Sequence, residues 1–280
     1  MATRLGTLTI SQTIFHSDMN AIVKEDFATQ AGHWYRADGS PAYTITGKNG
    51  KERNTTVRDA RERGYLPSVT TILRQAAAPG LERWKIGNAI MSALTLTRQE
   101  GESDEDYIAR ILRDSNEQAA KARDRGTEIH GALERFYRGL PVDAAYMPTV
   151  YAARDAVAEW TGPRGWDAER SFASPIGYGG KLDLSAPGFV ADFKTSDKPL
   201  DTLKLWPEHR RQLAAYRHGL GMDTARCAIV YVSAVEPKAR LIELDEAELA
   251  QGWEEFKYLL CYYYASNKME LPRKEILSYA

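Results

Sequence analysis

The sequence predicts an α/β fold, with a core built on a mixed β-sheet flanked by helices. Three observations carry that expectation. Apolar residues recur at helical spacing from Pro67 to about residue 161, and the period changes to two after Gly162. The later segments then run strand, strand, strand, helix, strand, an order that suits a mixed sheet. The third is size: 280 residues at 43% hydrophobic composition are enough for one large core, or for one core with an appendage.

Residues 1–66 are mixed and polar. In "HWYRADGSPAYTITGKNGKERN", Asp38-Gly39 and Asn49-Gly50 are hairpin turn signals between short strands. This stretch reads as an N-terminal β-hairpin extension, with the main domain over residues 67–280. The helical part follows. "SVTTILRQAAA" stops at Pro79-Gly80, and "LERWKIGNAIMSALTLT" runs towards Gly101. A long helix is predicted over about 116–138, with Gly139 and Pro141 as its stop signals and Ala122, Ile129, Leu133 and Phe136 as its core stripe. Another helix covers about 148–161. Together these form a helical insertion ahead of the strands "DAERSFAS", "GYGGKLDLS" and "FVADFKTS". Pro207 suits a first helical turn and opens "PEHRRQLAAYRHGL". The strands "ARCAIVYVSA" and "ARLIEL" come next. A C-terminal helix closes the chain, with Leu249, Trp253, Phe256 and Leu260 on one face.

Bulk properties narrow the function. The 37 basic and 38 acidic residues nearly cancel, so a charged ligand must be attracted by a local patch. The cysteines are Cys227 and Cys261, without a C-x-x-C, which argues against a zinc ribbon or a cysteine-ligated iron–sulfur cluster. The N-terminal segment lacks a signal-peptide apolar core, and no long apolar run appears; the expectation is a cytoplasmic protein without a membrane partner.

The chemistry concentrates in one hairpin. A loop at Ala186–Phe189 places Ser185 opposite Val190 and, two steps on, Asp183 opposite Asp192. Alternation puts Asp192 and Lys194 on one face, with Ala191 and Phe193 on the other. Facing carboxylates repel, and a divalent cation would remove that repulsion. Hydrolysis of a phosphodiester uses such a site: oxygen ligands hold the cation, and an ammonium such as that of Lys194 orients water or offsets phosphate charge. The competing reading is a surface hairpin with an ordinary Asp–Lys pair. His130 and Glu134 stand one helical turn apart, and an imidazole ligand would tilt a site towards Mn²⁺. Gln212 and Tyr216 share a helix face in the same way. Each of these residues alone also fits a structural role.

Taken in order, G-x-x-x-H at Gly126–His130, G-G-x-x-D at Gly179–Asp183, D-x-K at Asp192–Lys194 and Q-x-x-x-Y at Gln212–Tyr216 resemble the RecB-type branch of the PD-(D/E)XK nucleases. "LPSVTTIL" and "PGLERWK" are similar to its phage and mitochondrial genome maintenance members. The resemblance implies a restriction-endonuclease-like core and a metal-dependent DNA exonuclease of recombination, repair or replication. Alternatives are a structure-specific endonuclease of the same fold and a DNA-binding subunit that does not cut. His130, Asp183, Asp192 and the Phe193 carbonyl would hold Mg²⁺ or Mn²⁺. Lys194 would act in catalysis with Asp183 and Asp192, and Gln212 and Tyr216 would support the site. Glu134 is a further carboxylate that could steady the ligands. Some relatives bind an iron–sulfur cluster through four cysteines; this chain resembles the members without one. A phage or bacterial-host setting and a single-strand annealing protein as partner are implied by the resemblance only. Lys121, Arg123 and Arg125 on the long helix, and Arg210 and Arg211 before Gln212, are candidate phosphate contacts. Any one of them also fits a solvated helix face. Tyr178 and Trp206 could stack on bases or simply pack.

Overall fold

A computed structural model describes residues 32–273, apart from the side chains of Gln118 and Ala122. Residues 1–31 of the expected N-terminal extension therefore lie outside the described residues. Strand β1 (Trp34–Tyr35) pairs antiparallel with β4 (Leu66–Pro67), and between them β2 (Thr44–Thr46) and β3 (Glu52–Asn54) form a hairpin. The two Asx-Gly signals are turns: Gly39 and Gly50 adopt φ of +84° and +74°, which glycine reaches without a Cβ penalty. Helix α1 (Val57–Arg63) stands where the sequence reading has only polar strands and turns. Thr56 and Asp59 form a reciprocal cap, Asp59 also accepts two 2.7 Å bonds from Arg53, and Gly64 ends the helix in the left-handed conformation.

Helices α2 (Val69–Leu73), α3 (Pro79–Thr95), α4 (Asp104–Tyr137) and α5 (Met147–Thr161) follow. The long helix α4 begins about a dozen residues before the expected start. Ser103 caps it by accepting from the Asp106 N–H, and Asp104, Glu105 and Asp106 complement its positive end.

Strands β5 (Asp167–Ser174), β6 (Tyr178–Ala186), β7 (Phe189–Ser196), β8 (Arg226–Ser233) and β9 (Ala239–Leu244) form one five-stranded sheet in sequential order. Neighbours are antiparallel except β7 and β8, whose parallel pairing is reached through the crossover helix α6 (Pro207–Gly219). Helix α7 (Glu246–Ser266) packs on α6. This is the predicted α/β class: a mixed sheet with helices on both faces.

The two faces bury separate cores. Tyr178, Leu182, Val190, Leu213, Ile229 and Phe256 meet on the α6–α7 side, where Trp34 and Ile72 join them. Ile129, Leu133, Val157, Leu184, Phe193 and Val230 meet on the α4–α5 side. Val190 and Phe193 in different cores show the alternation of β7. Among the described residues, no helix is long and apolar enough to cross a membrane.

Candidate active site

The site forms where β6 and β7 part. Their ladder includes Ser185↔Val190, as the loop length predicts, and ends at Leu184↔Ala191. Asp183 and Asp192 stand at the next rung, where pairing has already stopped. The Phe193 N–H, no longer engaged by β6 backbone, donates instead to Asp183 Oδ2 at 2.7 Å. The neighbouring ladder lapses at the same level: Ala168 pairs with Leu184 and Arg170 with Leu182, but Glu169 and Asp183 between them do not pair. Glu169 takes φ of +54°, an uncommon value for a residue with a side chain. Both strands change sides there. Leu182 and Phe172 lie in the α6–α7 core, whereas Leu184 and Ala168 lie in or against the α4–α5 core.

Asp192 is 3% exposed and points towards α6. Its Oδ1 accepts from Gln212 Nε2 at 3.1 Å, and its Oδ2 lies 2.6 Å from Lys194 Nζ without a well-aligned donor. Lys194 Nζ donates to Gln212 Oε1 at 3.0 Å, and Gln212 Nε2 also reaches Tyr216 Oη at 3.0 Å. This fixes the amide orientation, because the oxygen must face the ammonium and the nitrogen the carboxylate. The i, i+4 spacing of Gln212 and Tyr216 makes the contact one helical turn long.

Charges are balanced locally. Burial, then the Asp192 charge, raises the Asp183 carboxyl well above its ordinary range, against the opposing pull of Lys194 and the Phe193 N–H. Burial works against the Lys194 ammonium, but Asp192, by charge and hydrogen bond, and then Asp183 outweigh it and raise its pKa. His130 Nδ1 stands 3.7 Å from Asp183 Oδ2, and burial lowers its pKa, which keeps the imidazole neutral. His130, Glu134, Tyr137, Glu169, Asp183 and Phe193 line one narrow cleft.

Asp183, Asp192, Lys194, His130, Gln212 and Tyr216 are thus brought together. They do not form a ready-made cage: among the described residues, no three His, Cys, Asp or Glu side chains are grouped so as to hold a metal ion. Asp183 Oδ2 accepts from the Phe193 N–H, and both Asp192 oxygens have a neighbour, Oδ1 in Gln212 and Oδ2 in the Lys194 ammonium 2.6 Å away. The Phe193 carbonyl belongs to β7, in register with Val230 of β8. Glu134 pairs with Arg138 at 2.6 Å.

The basic candidates separate. Lys121, Arg123 and Arg125 are exposed on α4. Arg210 and Arg211 both close on Glu255 of α7 at 2.5 Å and tie the two helices together. Trp206 is 54% exposed, whereas Tyr178 is fully buried and donates to the Ala215 carbonyl. Two residues absent from the sequence reading stand at the site: Glu169, and Lys181, which pairs with it. A charged residue in an alternating strand gives no signal that the strand will change sides beneath it.

The motif glycines serve packing. A Cβ at Gly179 would come within 2.6 Å of the Tyr35 side chain, and one at Gly180 within 2.7 Å of Phe172. At Gly126 it would meet Thr195 Oγ1 at 2.8 Å, so this glycine lets α4 approach β7.

No protein-family model matches the chain, and no curated protein matches it. Solved structures similar to it include a protein from Eubacterium rectale, provisionally described as an exonuclease. The identity is 12% and the TM-score 0.39, over 54% of this chain and 71% of that one. An alkaline exonuclease from Laribacter hongkongensis is also similar, at 18% identity and a TM-score of 0.36, over 67% of this chain and 94% of that one.

Proposed function

We propose that the chain is a metal-dependent deoxyribonuclease that hydrolyses phosphodiester bonds from DNA ends. The observation that supports this most directly is the Asp183–Asp192–Lys194 cluster at the parting of β6 and β7, with Gln212 gripping both Asp192 and Lys194. A buried carboxylate and a half-buried one that repel each other are costly in a protein that only packs or only binds anions. An Asp183 carboxyl raised by burial and by the Asp192 charge, in a cleft it shares with His130 and Glu169, fits a hard divalent cation.

Asp183 and Asp192 would hold Mg²⁺ or Mn²⁺, with the Phe193 carbonyl and neutral His130 beside them. Bound there, the cation would acidify a water and polarise the phosphate. The chain's own groups do the rest. Lys194 stays charged, and Gln212 holds its ammonium where it can orient the nucleophile and offset charge developing on phosphorus. Tyr216 fixes Gln212 in turn. Lys121, Arg123 and Arg125, exposed on the helix that carries His130, would supply local positive charge for the phosphate backbone. Arg210 and Arg211 contribute to α6–α7 packing.

The test is release of nucleotides from end-labelled linear and closed circular DNA, with Mg²⁺, Mn²⁺ or EDTA. Wild type should degrade linear DNA only and only with metal, and Lys194→Ala should abolish release while leaving the melting curve cooperative. Nicked circles would instead indicate the endonuclease. Absence of cleavage with DNA binding intact would indicate the binding subunit and refute the nuclease reading.

A further inference from the structure

Helix α3 is built with its large apolar residues facing outward. Its neighbour is α4: Tyr107 Oη donates to the Ala93 and Leu96 carbonyls, and Ser92 is buried at 1% exposure. The residues towards α4 are small or polar, with Asn88, Ala89 and Ala93 partly covered beside Ser92. On the other side, Ile86, Ile90 and Leu94 follow at four-residue steps, flanked by Trp84, Gly87 and Met91. Their side chains stand in water: Ile86 and Met91 are 59% exposed and Leu94 is 75% exposed. Ile108 and Leu112 of α4 are exposed as well. Five large apolar side chains exposed along one helix, Trp84, Ile86, Ile90, Met91 and Leu94, are unusual on a monomer. Charged residues enter those rows only in the first turns of the helix, at Glu82 and Arg83, and none follows as far as Leu94.

We infer that this face pairs with the same face of a second copy of the chain, α3 against α3 in antiparallel arrangement. Two features select a second copy. First, Gly87 is the midpoint of α3 and lies in the outward face, with nothing within 4 Å of where its Cβ would stand. A two-fold axis there brings glycine to glycine and lets the helices approach closely, with each apolar row meeting its symmetry mate. Second, the α3–α4 arm has oppositely charged ends. Of the six ionisable side chains from Arg98 to Asp106 at its tip, five are acidic; Arg98 pairs with Asp104 and Arg110 with Glu102, and the tip remains net acidic through Glu100, Glu105 and Asp106. Near its base Arg74, Arg83 and Lys85 are exposed, and with Glu82 paired to Lys85 the base keeps a net positive charge. Antiparallel pairing sets the acidic tip of each copy beside the basic base of the other, and parallel pairing would oppose like charges.

The test is sedimentation of the full chain over a concentration series, together with cross-linking. Wild type should dimerise as concentration rises, more weakly at high salt. Ile90→Glu and Leu94→Glu alter exposed positions, so they should keep the circular dichroism spectrum while weakening the dimer by about a hundredfold or more. Gly87→Cys should form an interchain disulfide under mild oxidation, because the axis brings the two backbones within bridging range. Glu100→Cys, far from the axis, should not. A chain that remains monomeric throughout overturns the inference, as does a dimer that survives Ile90→Glu without cross-linking through Gly87→Cys. A dimer that appears only after residues 1–31 are removed would assign the face to that segment and overturn it too.

Discussion

Replacing Gly252 by alanine tests whether α7 fixes the position of the site helix. Gly252 sits where α7 crosses α6. An alanine Cβ there would lie 2.4 Å from the Arg210 carbonyl oxygen and 2.5 Å from its carbon, where ordinary contact begins near 3.4 Å. The helices must therefore separate by about 1 Å. Overpacking costs about 1–3 kcal/mol, and a clash with backbone belongs at the upper end, since no side chain can rotate away. Alanine returns about 1 kcal/mol of helix propensity. The net loss is about 2 kcal/mol, or a fall in Tm of roughly 3–4 °C for a chain of this size. Activity should fall further than stability suggests. Gln212 rides on α6, and its bonds to Asp192 at 3.1 Å and Lys194 at 3.0 Å do not survive a displacement of about 1 Å. Misplacement on that scale costs roughly a hundredfold in rate. Thermal melting and nucleotide release at a temperature where both proteins are folded are the assays. Gly131→Ala is the control: it is also helical, nothing lies within 4 Å of its Cβ position, and it should raise stability by up to about 1 kcal/mol. A Gly252→Ala protein that melts at or above the wild-type temperature with full activity would refute the reasoning.

Gln212→Leu should keep the fold but leave Lys194 and Asp192 without their common partner, cutting the rate about a hundredfold with little change in KM; an unchanged rate would mean that the amide only packs. His209 gives a pH dependence. It is 4% exposed, its Nδ1 accepts from the Trp206 N–H at 3.2 Å, and burial lowers its pKa to about 4. A histidine whose folded pKa lies below its unfolded value, about 6.5, contributes stability that is fully present above 6.5 and lost as pH falls through 4. The loss is about 3 kcal/mol, and His209→Asn, which keeps an acceptor for Trp206, should remove it. Parallel stability–pH curves for the two proteins in urea would contradict this. Cys227, buried with its thiol pushed up to about 12, should resist a thiol reagent until the protein unfolds, whereas the partly exposed Cys261 should react first.

What the sequence made legible was periodic or local. The change of period after residue 162 marked the start of the sheet, Pro207 marked the crossover helix, and the loop before Phe189 set the Ser185↔Val190 register. Features that depend on a distant partner stayed hidden. "RRQ" looks like a basic patch because Glu255, which neutralises both arginines, lies more than forty residues away. Helix α1 is short and almost entirely charged, so its signals were the cap Thr56, Asp59 and the stop Gly64 rather than an apolar face. The early start of α4 was likewise written in Ser103 and its three acids, not in a stripe. Simple alternation also predicted that Asp183 and Asp192 would form a rung. It could not show the ladder ending one step earlier, because that ending depends on β5 as much as on the hairpin.

That ending explains how a buried carboxylate and a half-buried one can stand so close together at all. In an unbroken ladder Asp183 would be a charge on a sheet face packed by helices, facing Asp192 across a fixed rung. Because β6 and β7 part at Leu184↔Ala191, a backbone N–H becomes free where Asp183 needs a donor, and each defect satisfies the other. Glu169 extends the pattern to β5, where the strand adopts a strained φ at the level of Asp183 and turns a carboxylate into the cleft with His130. On the opposite side, Asp192 and Lys194 depend on one amide from α6, and α6 depends on the Gly252 crossing and the Glu255 ion pairs of α7. Helix α7 supplies none of the named site residues, yet it fixes the distance between Gln212 and the sheet. Loosening that crossing should therefore impair the site before it unfolds the protein.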